Sequence, residues 1–195
     1  MTPGGDITVH TPTGLLVGVR QVFSPHHNAR PSGVATDLVV LHGISLPPGE
    51  FGGPGIEQLF TGGLNADAHP YYREIAGARV SAHVLVRRDG ELLQFVPFGR
   101  RAWHAGLSSH AGRSGCNDFS IGIELEGTDA APYTDAQYLR AAALLRALFH
   151  AYPDLAASRV VGHSDIAPGR KNDPGPAFDW GRLNQYIERH GEDPR

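Results

Sequence analysis

Along this chain, short apolar runs with strand periodicity alternate with connections rich in glycine and proline. DLVVLH (37–42) is β-branched and leucine-rich with polar ends, the pattern of a buried strand, and Gly43 predicts a turn just past His42. ARVSAHVLVRRDGELLQFVPF (78–98) predicts two strands joined at Arg88-Asp89-Gly90, because Asp-Gly between alternating runs is a hairpin signal. In the first of them Val80, Ala82, Val84 and Val86 share one face, and Ser81, His83 and Leu85 the other. That pattern makes His83 a structural or substrate-contacting residue rather than a metal ligand. FSIGIELEG (119–127) places Ile121, Ile123 and Leu125 on one face and Gly122, Glu124 and Glu126 on the other. Two carboxylates on one face of an apolar strand are costly unless that face meets a polar cleft; a solvated edge strand is the alternative. Gly122, which leaves space beside Glu124, favours the cleft. RVVGH (159–163) predicts a short strand that delivers His163.

Helical spacing enters later. Thr134-Asp-Ala-Gln137 is a capping box, and Tyr138, Ala141, Ala142, Leu145, Leu148, Phe149 and Tyr152 recur at helical intervals until Pro153. DWGRLNQYIERH (179–190) predicts a last helix with Trp180, Leu183 and Ile187 on one side. GIEQLFTGG and HPYYREIAG read as short helices stopped by glycine, the second started by His69. Around them the region from Ser45 to Ala78 is loop-rich, the mark of a substrate-facing rim, with residues 45–65 able to close over a substrate. SPHHNARPSG (24–33) reads as a polar arm; neighbouring His26 and His27 point to opposite sides in extended chain and do not both reach one metal. Strands and helices interleave without repeats, so residues 1–195 are expected to form one α/β domain.

Composition narrows the function. Hydrophobic residues at 41% and charged residues at 19% describe an ordered globular chain. A net charge of −3 without any Lys/Arg run argues against nucleic acid or an anionic membrane as partner. A single cysteine, Cys116, excludes a disulfide framework and a Cys-rich zinc module, and reads as a small buried residue. No basic-then-apolar leader and no stretch of about 18 apolar residues appears, which makes a cytoplasmic enzyme the expectation.

The chemistry concentrates in GHSDIAPGRKNDPG (162–175), where His163, Asp165, Lys171 and Asp173 are set among Pro168, Gly169, Pro174 and Gly175. Such a density of proline and glycine gives a rigid loop. Two neutral imidazoles and a carboxylate are a common ligand set for a catalytic zinc with one open position, so His42, His163 and Asp173 are the candidate ligands of one Zn2+. RRAWHAG (100–106) adds Trp103, an indole suited to stacking on the apolar face of a sugar, with plain core as the equal alternative.

Together, LHGISLPPGEFGG, RVSAHVLVRRDGELLQFVPF, RAWHAG, CNDFSIGIELEGTD and GHSDIAPGRKNDPGPAFDW resemble the AmpD family. These are cytoplasmic N-acetylmuramoyl-L-alanine amidases acting on 1,6-anhydro-muropeptides, within a wider group of zinc amidases related to phage T7 lysozyme and peptidoglycan recognition proteins. The resemblance runs from Leu15 to Trp180. It implies a central mixed β-sheet with helices packed on it and the zinc site at one end of the sheet. It implies hydrolysis of the amide between the lactyl group of (1,6-anhydro-)N-acetylmuramic acid and L-alanine, in peptidoglycan recycling, by a monomer acting on a small muropeptide. Carried over by position, it makes His42, His163 and Asp173 the zinc ligands, Glu124 the acid/base carboxylate and Lys171 the charge stabiliser. Trp103 then borders the sugar, and Arg79 pairs with acidic groups of the stem peptide. The chain departs from the pattern at Gly43, where relatives often have Asn, at Gly115, where they often have Arg, and at Ser164, where some have Cys. Arg113 is the candidate to replace the missing arginine. Two other readings are an amidase of intact peptidoglycan and a non-catalytic muropeptide receptor; receptors typically lack part of the ligand set, which is complete here.

Overall fold

A computed structural model describes residues 7–189. Its centre is a six-stranded mixed sheet, in spatial order Val160–Gly162, Leu38–Ile44, Ser120–Glu126, Val84–Val86, Leu92–Gln94 and Arg20–Gln21. The first four strands are mutually parallel. The hairpin expected at Arg88–Gly90 adds Leu92–Gln94 antiparallel to Val84–Val86, with Arg87 N donating to Glu91 O at 2.9 Å. Parallel neighbours need crossovers, and these connections carry the helices and the loop-rich rim.

Period two sorts the faces. Val39, Leu41, Val84, Val86, Ile121, Ile123 and Leu125 pack on one side against the helices Asp135–Ala151 and Trp180–Arg189. The longer helix is held at its start by the expected capping box, in which Thr134 Oγ1 accepts from Gln137 N at 3.2 Å. Trp180, Leu183 and Ile187 of the last helix join the same cluster; His190, expected to extend it, lies outside the described residues. On the opposite face Leu85, Leu93 and Phe95 pack with Ile56, Phe60 and Tyr72, residues of the short helices Gly55–Thr61 and Pro70–Ile75 and their hairpin support. His69 caps the second of these through Nδ1, which accepts from Tyr71 N at 3.1 Å. Leu38, Val40, Cys116, Phe119 and Ile166 form a third cluster on this face, and Cys116 is fully buried.

Three expectations change. Gly43 does not turn the chain: it stays in the strand, paired with Leu125, and its lack of a side chain accommodates the Tyr133 hydroxyl. Regular strand before the hairpin is limited to Val84–Val86, because Ser81 N bonds to Trp103 O and the His83 carbonyl accepts from both Phe95 N and Val96 N. Glu126 does not face a cleft. It is 1% exposed, and its carboxylate accepts from Arg87 Nη1 at 3.1 Å, Arg88 N at 3.2 Å and Gly52 N at 2.7 Å. Arg87 also donates to Gly53 O at 3.0 Å and to Glu57 Oε1 at 2.7 Å. A buried carboxylate needs this set of donors, and the rim is tied to the sheet as the result. Among the described residues no helix is long and apolar enough to cross a membrane.

The packing assigns opposite roles to two leucines of one helix, since Leu145 is fully buried against the sheet and Leu139 is 41% exposed. We expect Leu145→Ala to lower the unfolding free energy by about 2–5 kcal/mol. Leu139→Ala should stay within about 0.5 kcal/mol of wild type. Urea denaturation of both variants checks this, and equal losses would contradict the face assignment.

Candidate metal centre and cleft

The site lies at the carboxyl ends of the parallel strands, where open α/β sheets place their ligands. Register brings the groups together. Glu124 pairs directly with His42, and Gly162 pairs with Leu41, so His163 emerges next to His42. The chain then makes the one-turn helix His163–Ile166, with Asp165 Oδ2 accepting from Gly162 N at 2.7 Å. Asp165 is thereby spent on local structure. The proline- and glycine-rich loop returns Asp173, whose carbonyl accepts from Ser164 N at 3.0 Å. Tyr133, buried behind this loop, donates its hydroxyl to Pro174 O at 3.0 Å.

Three donor atoms converge. His42 Nδ1 and His163 Nδ1 stand 2.9 Å apart, and Asp173 Oδ2 lies 3.2 Å from the first and 3.1 Å from the second. The opposite nitrogen of each ring settles which atoms carry protons. His163 Nε2 is 3.2 Å from Ala105 O, a pure acceptor, so Nε2 bears the hydrogen and Nδ1 of the neutral ring is bare. His42 Nε2 lies 2.9 Å from His104 Nδ1 and makes the corresponding bond. Burial lowers His42 to about 4, which keeps it neutral near pH 7. Two bare imidazole nitrogens and a carboxylate oxygen aimed at one point repel each other unless a cation lies between them. Ligands about 2.0–2.1 Å from a tetrahedral zinc stand roughly 3.3 Å apart, close to this triangle. The three residues fit a metal ion.

Glu124 adds a carboxyl beside them. Its Oε2 is buried with no hydrogen-bond partner among the described residues. Burial, and then the Asp173 charge, raises its pKa well above the ordinary value, while the Lys171 ammonium works in the other direction. His42, His163, Asp173, Glu124 and Lys171 all line one cleft of about 680 Å3.

Trp103 forms part of the cleft wall, fixed by Nε1 donating to Asn28 Oδ1 at 3.1 Å and stacked on His26 with 13° between the ring planes. Arg79 is exposed outside the lining residues, its guanidinium 5.2 Å from the Trp103 ring centroid. Arg113 is engaged elsewhere: it bonds both carboxylate oxygens of Asp37 and lies over the Phe119 ring. Neither Arg113 nor Gly115 lines the cleft. The arm places His26 against Val80 O and Trp103, while His27 pairs in a short ladder with Ala102. His83 is structural: its Nδ1 accepts from Gly122 N at 2.9 Å and its Nε2 donates to Arg100 O at 3.0 Å. Burial and then Arg30 lower His83 to about 3.

Neither His104 nor Tyr133 stands out in the amino-acid sequence. The signal for His104 was Gly122, whose missing side chain makes room for the His104 ring rather than for Glu124.

Comparison with known proteins agrees with this geometry. Residues 32–176 match the Amidase_2 family, described as N-acetylmuramoyl-L-alanine amidase. The chain is 60% identical over 176 residues to the 1,6-anhydro-N-acetylmuramyl-L-alanine amidase AmpD of Escherichia coli K12, covering 90% of this chain and 96% of that protein. It superposes on the crystal structure of a selenomethionine AmpD derivative with a TM-score of 0.87 at 58% identity, over 90% of this chain and 97% of the other. A crystal structure of AmpDh3 from Pseudomonas aeruginosa in complex with anhydromuramic pentapeptide gives a TM-score of 0.58 at 30% identity, over 80% of this chain and 61% of that one. With most of its length covered by the match, this chain belongs to the Amidase_2 family of N-acetylmuramoyl-L-alanine amidases.

Proposed function

We propose that this chain is a zinc-dependent amidase that cleaves the bond between the lactyl group of (1,6-anhydro-)N-acetylmuramic acid and L-alanine of the stem peptide. Its place is the cytoplasmic recycling of peptidoglycan. The observation that carries the reading is the meeting of two bare imidazole nitrogens and a carboxylate beside the unpartnered Oε2 of Glu124. The AmpD relatives, named for action on this anhydro-muramyl amide, supply the substrate class. In this reading the whole chain acts as one domain and as a monomer. A net charge of −3 supports a small muropeptide as partner rather than nucleic acid or an anionic membrane.

His42, His163 and Asp173 would hold one zinc per chain. When bound, zinc supplies Lewis acidity, which acidifies water and polarises a carbonyl. Glu124 takes the proton of the attacking water on its carboxylate and passes it to the alanine nitrogen as the amide bond breaks. Its raised pKa suits the second half of that task, and Lys171 keeps the ionised form needed for the first within reach. The Lys171 ammonium also stabilises the negative charge that develops on the lactyl carbonyl oxygen. Trp103 presents an apolar wall to the sugar, and Arg79, beside it, meets acidic groups of the peptide.

Removing a ligand and removing a catalytic group should have different signatures. Asp173→Ala should lose both zinc, measured by metal analysis, and turnover of a 1,6-anhydro-muramyl tripeptide. Retention of one zinc per chain would refute the ligand set. Glu124→Ala and Lys171→Ala should keep their zinc and lose about 10²–10³ in kcat. Near-wild-type turnover by either variant would remove it from the mechanism, and zinc loss in Glu124→Ala would make Glu124 a ligand or its support. Release from the soluble tripeptide should far exceed release from insoluble sacculi; the reverse order would favour an amidase of intact peptidoglycan, and zinc without cleavage of either would favour a receptor.

A further inference from the structure

Both imidazoles of the candidate metal site lean on two consecutive residues. His163 Nε2 donates to Ala105 O at 3.2 Å, and His42 Nε2 stands 2.9 Å from Nδ1 of His104. The second contact continues inward. His104 Nε2 is 3.2 Å from Ser120 Oγ, and Ser120 Oγ donates to the Cys116 carbonyl at 2.6 Å. Proton accounting allows one arrangement along this line. The Cys116 carbonyl only accepts, so the Ser120 hydroxyl hydrogen is committed to it, and Ser120 Oγ must accept from His104 Nε2–H. A neutral His104 then has a bare Nδ1, which accepts from His42 Nε2–H. His42 Nδ1 is left unprotonated, facing His163 Nδ1 and Asp173 Oδ2.

The His104 ring is fixed as firmly as its protons. Its backbone N and that of Ala105 both donate to Asn117 Oδ1, at 3.1 and 2.8 Å. Its ring lies where a side chain at Gly122 would be, and it meets the His42 ring edge-on, with 82° between the planes. Although His104 borders the cleft, both of its ring nitrogens are already bonded within the protein.

We infer that His104 is a positioning residue for the metal site, holding His42 in the tautomer and orientation that turn Nδ1 toward the ion, with Ala105 O doing the same for His163. The inference rests on the metal-site reading above. It assigns to RAWHAG (101–106) a task separate from the Trp103 wall: one segment, clamped by Asn117, sets both imidazoles. Outer partners of this type typically tune metal affinity about 10–100-fold.

The test measures zinc affinity of the full chain by competition with a chromophoric chelator. His104→Leu, which keeps bulk but offers no acceptor, should bind zinc about 10–100-fold more weakly than wild type. His104→Asn, whose Oδ1 takes the place of Nδ1 as acceptor, should recover most of the loss. Wild-type zinc affinity in His104→Leu, with Asp173→Ala still abolishing binding, overturns the positioning role and leaves the metal site standing. Equal losses in the Leu and Asn variants overturn it as well, since bulk and packing alone would then account for both. A wild-type chain that takes up no zinc overturns the metal site and this inference with it. Should His104→Leu fail to fold, the imidazole ¹⁵N spectrum of the zinc-loaded wild type decides. Protons on Nε2 of both His42 and His104 support the inference, and a proton on Nδ1 of His104 overturns it.

Discussion

The parallel pairing of Leu38–Ile44 with Ser120–Glu126 is the constraint on which the cleft depends. With Glu124 in register with His42, a carboxyl and an imidazole from distant parts of the chain project from the same face of adjacent strands. Adding Val160–Gly162 on the other side of Leu38–Ile44 brings His163 to the same level. A register slip of one residue would turn His42 or Glu124 into the helix-covered face. The alternating Val39, Leu41, Ile121, Ile123 and Leu125, all fully buried, oppose such a slip, so the apolar side of the sheet secures the geometry of the polar side.

That polar side is expensive, and the protein spreads the cost unevenly. Glu126, Arg87 and Glu57 satisfy one another and the rim backbone, which ties the rim to the sheet. His83 is matched by two backbone groups. Glu124 Oε2 is the contrast, a buried oxygen without a partner among the described residues. Unsatisfied groups of this kind are rare in folded proteins and belong where chemistry is done.

Much of this was legible in the amino-acid sequence because local rules apply to it. Period two gave the faces of Ser120–Glu126, Asp-Gly gave the hairpin, and the Thr134–Gln137 box gave the start of the long helix. Residue types brought out His42, His163 and Asp173, which the fold does bring together. What stayed hidden depends on pairing across the chain. Periodicity assigns Glu124 and Glu126 to one face but carries no information about which meets a cleft and which meets Arg87. Gly43 reads as a turn until Tyr133, from a distant connection, occupies the space beside it. His104 draws its partners from residues 42, 117, 120 and 122, on three separate segments, and no local pattern links them.

The strand Val160–Gly162 is three residues long and lies at the edge of the sheet, bonded on one side only. Edges of this kind open more readily than central strands, without global unfolding. Yet this strand leads straight into His163, while His42 sits on the central neighbour. A cation gripped by both, as proposed, would act as a rivet through this edge seam of the sheet, because every opening of the edge would have to give up the ion. Loading would thus protect the backbone around Val160–Gly162 from solvent exchange far more than it protects Ser120–Glu126, which is already held from both sides. The chemistry and the integrity of that edge would then rise and fall together.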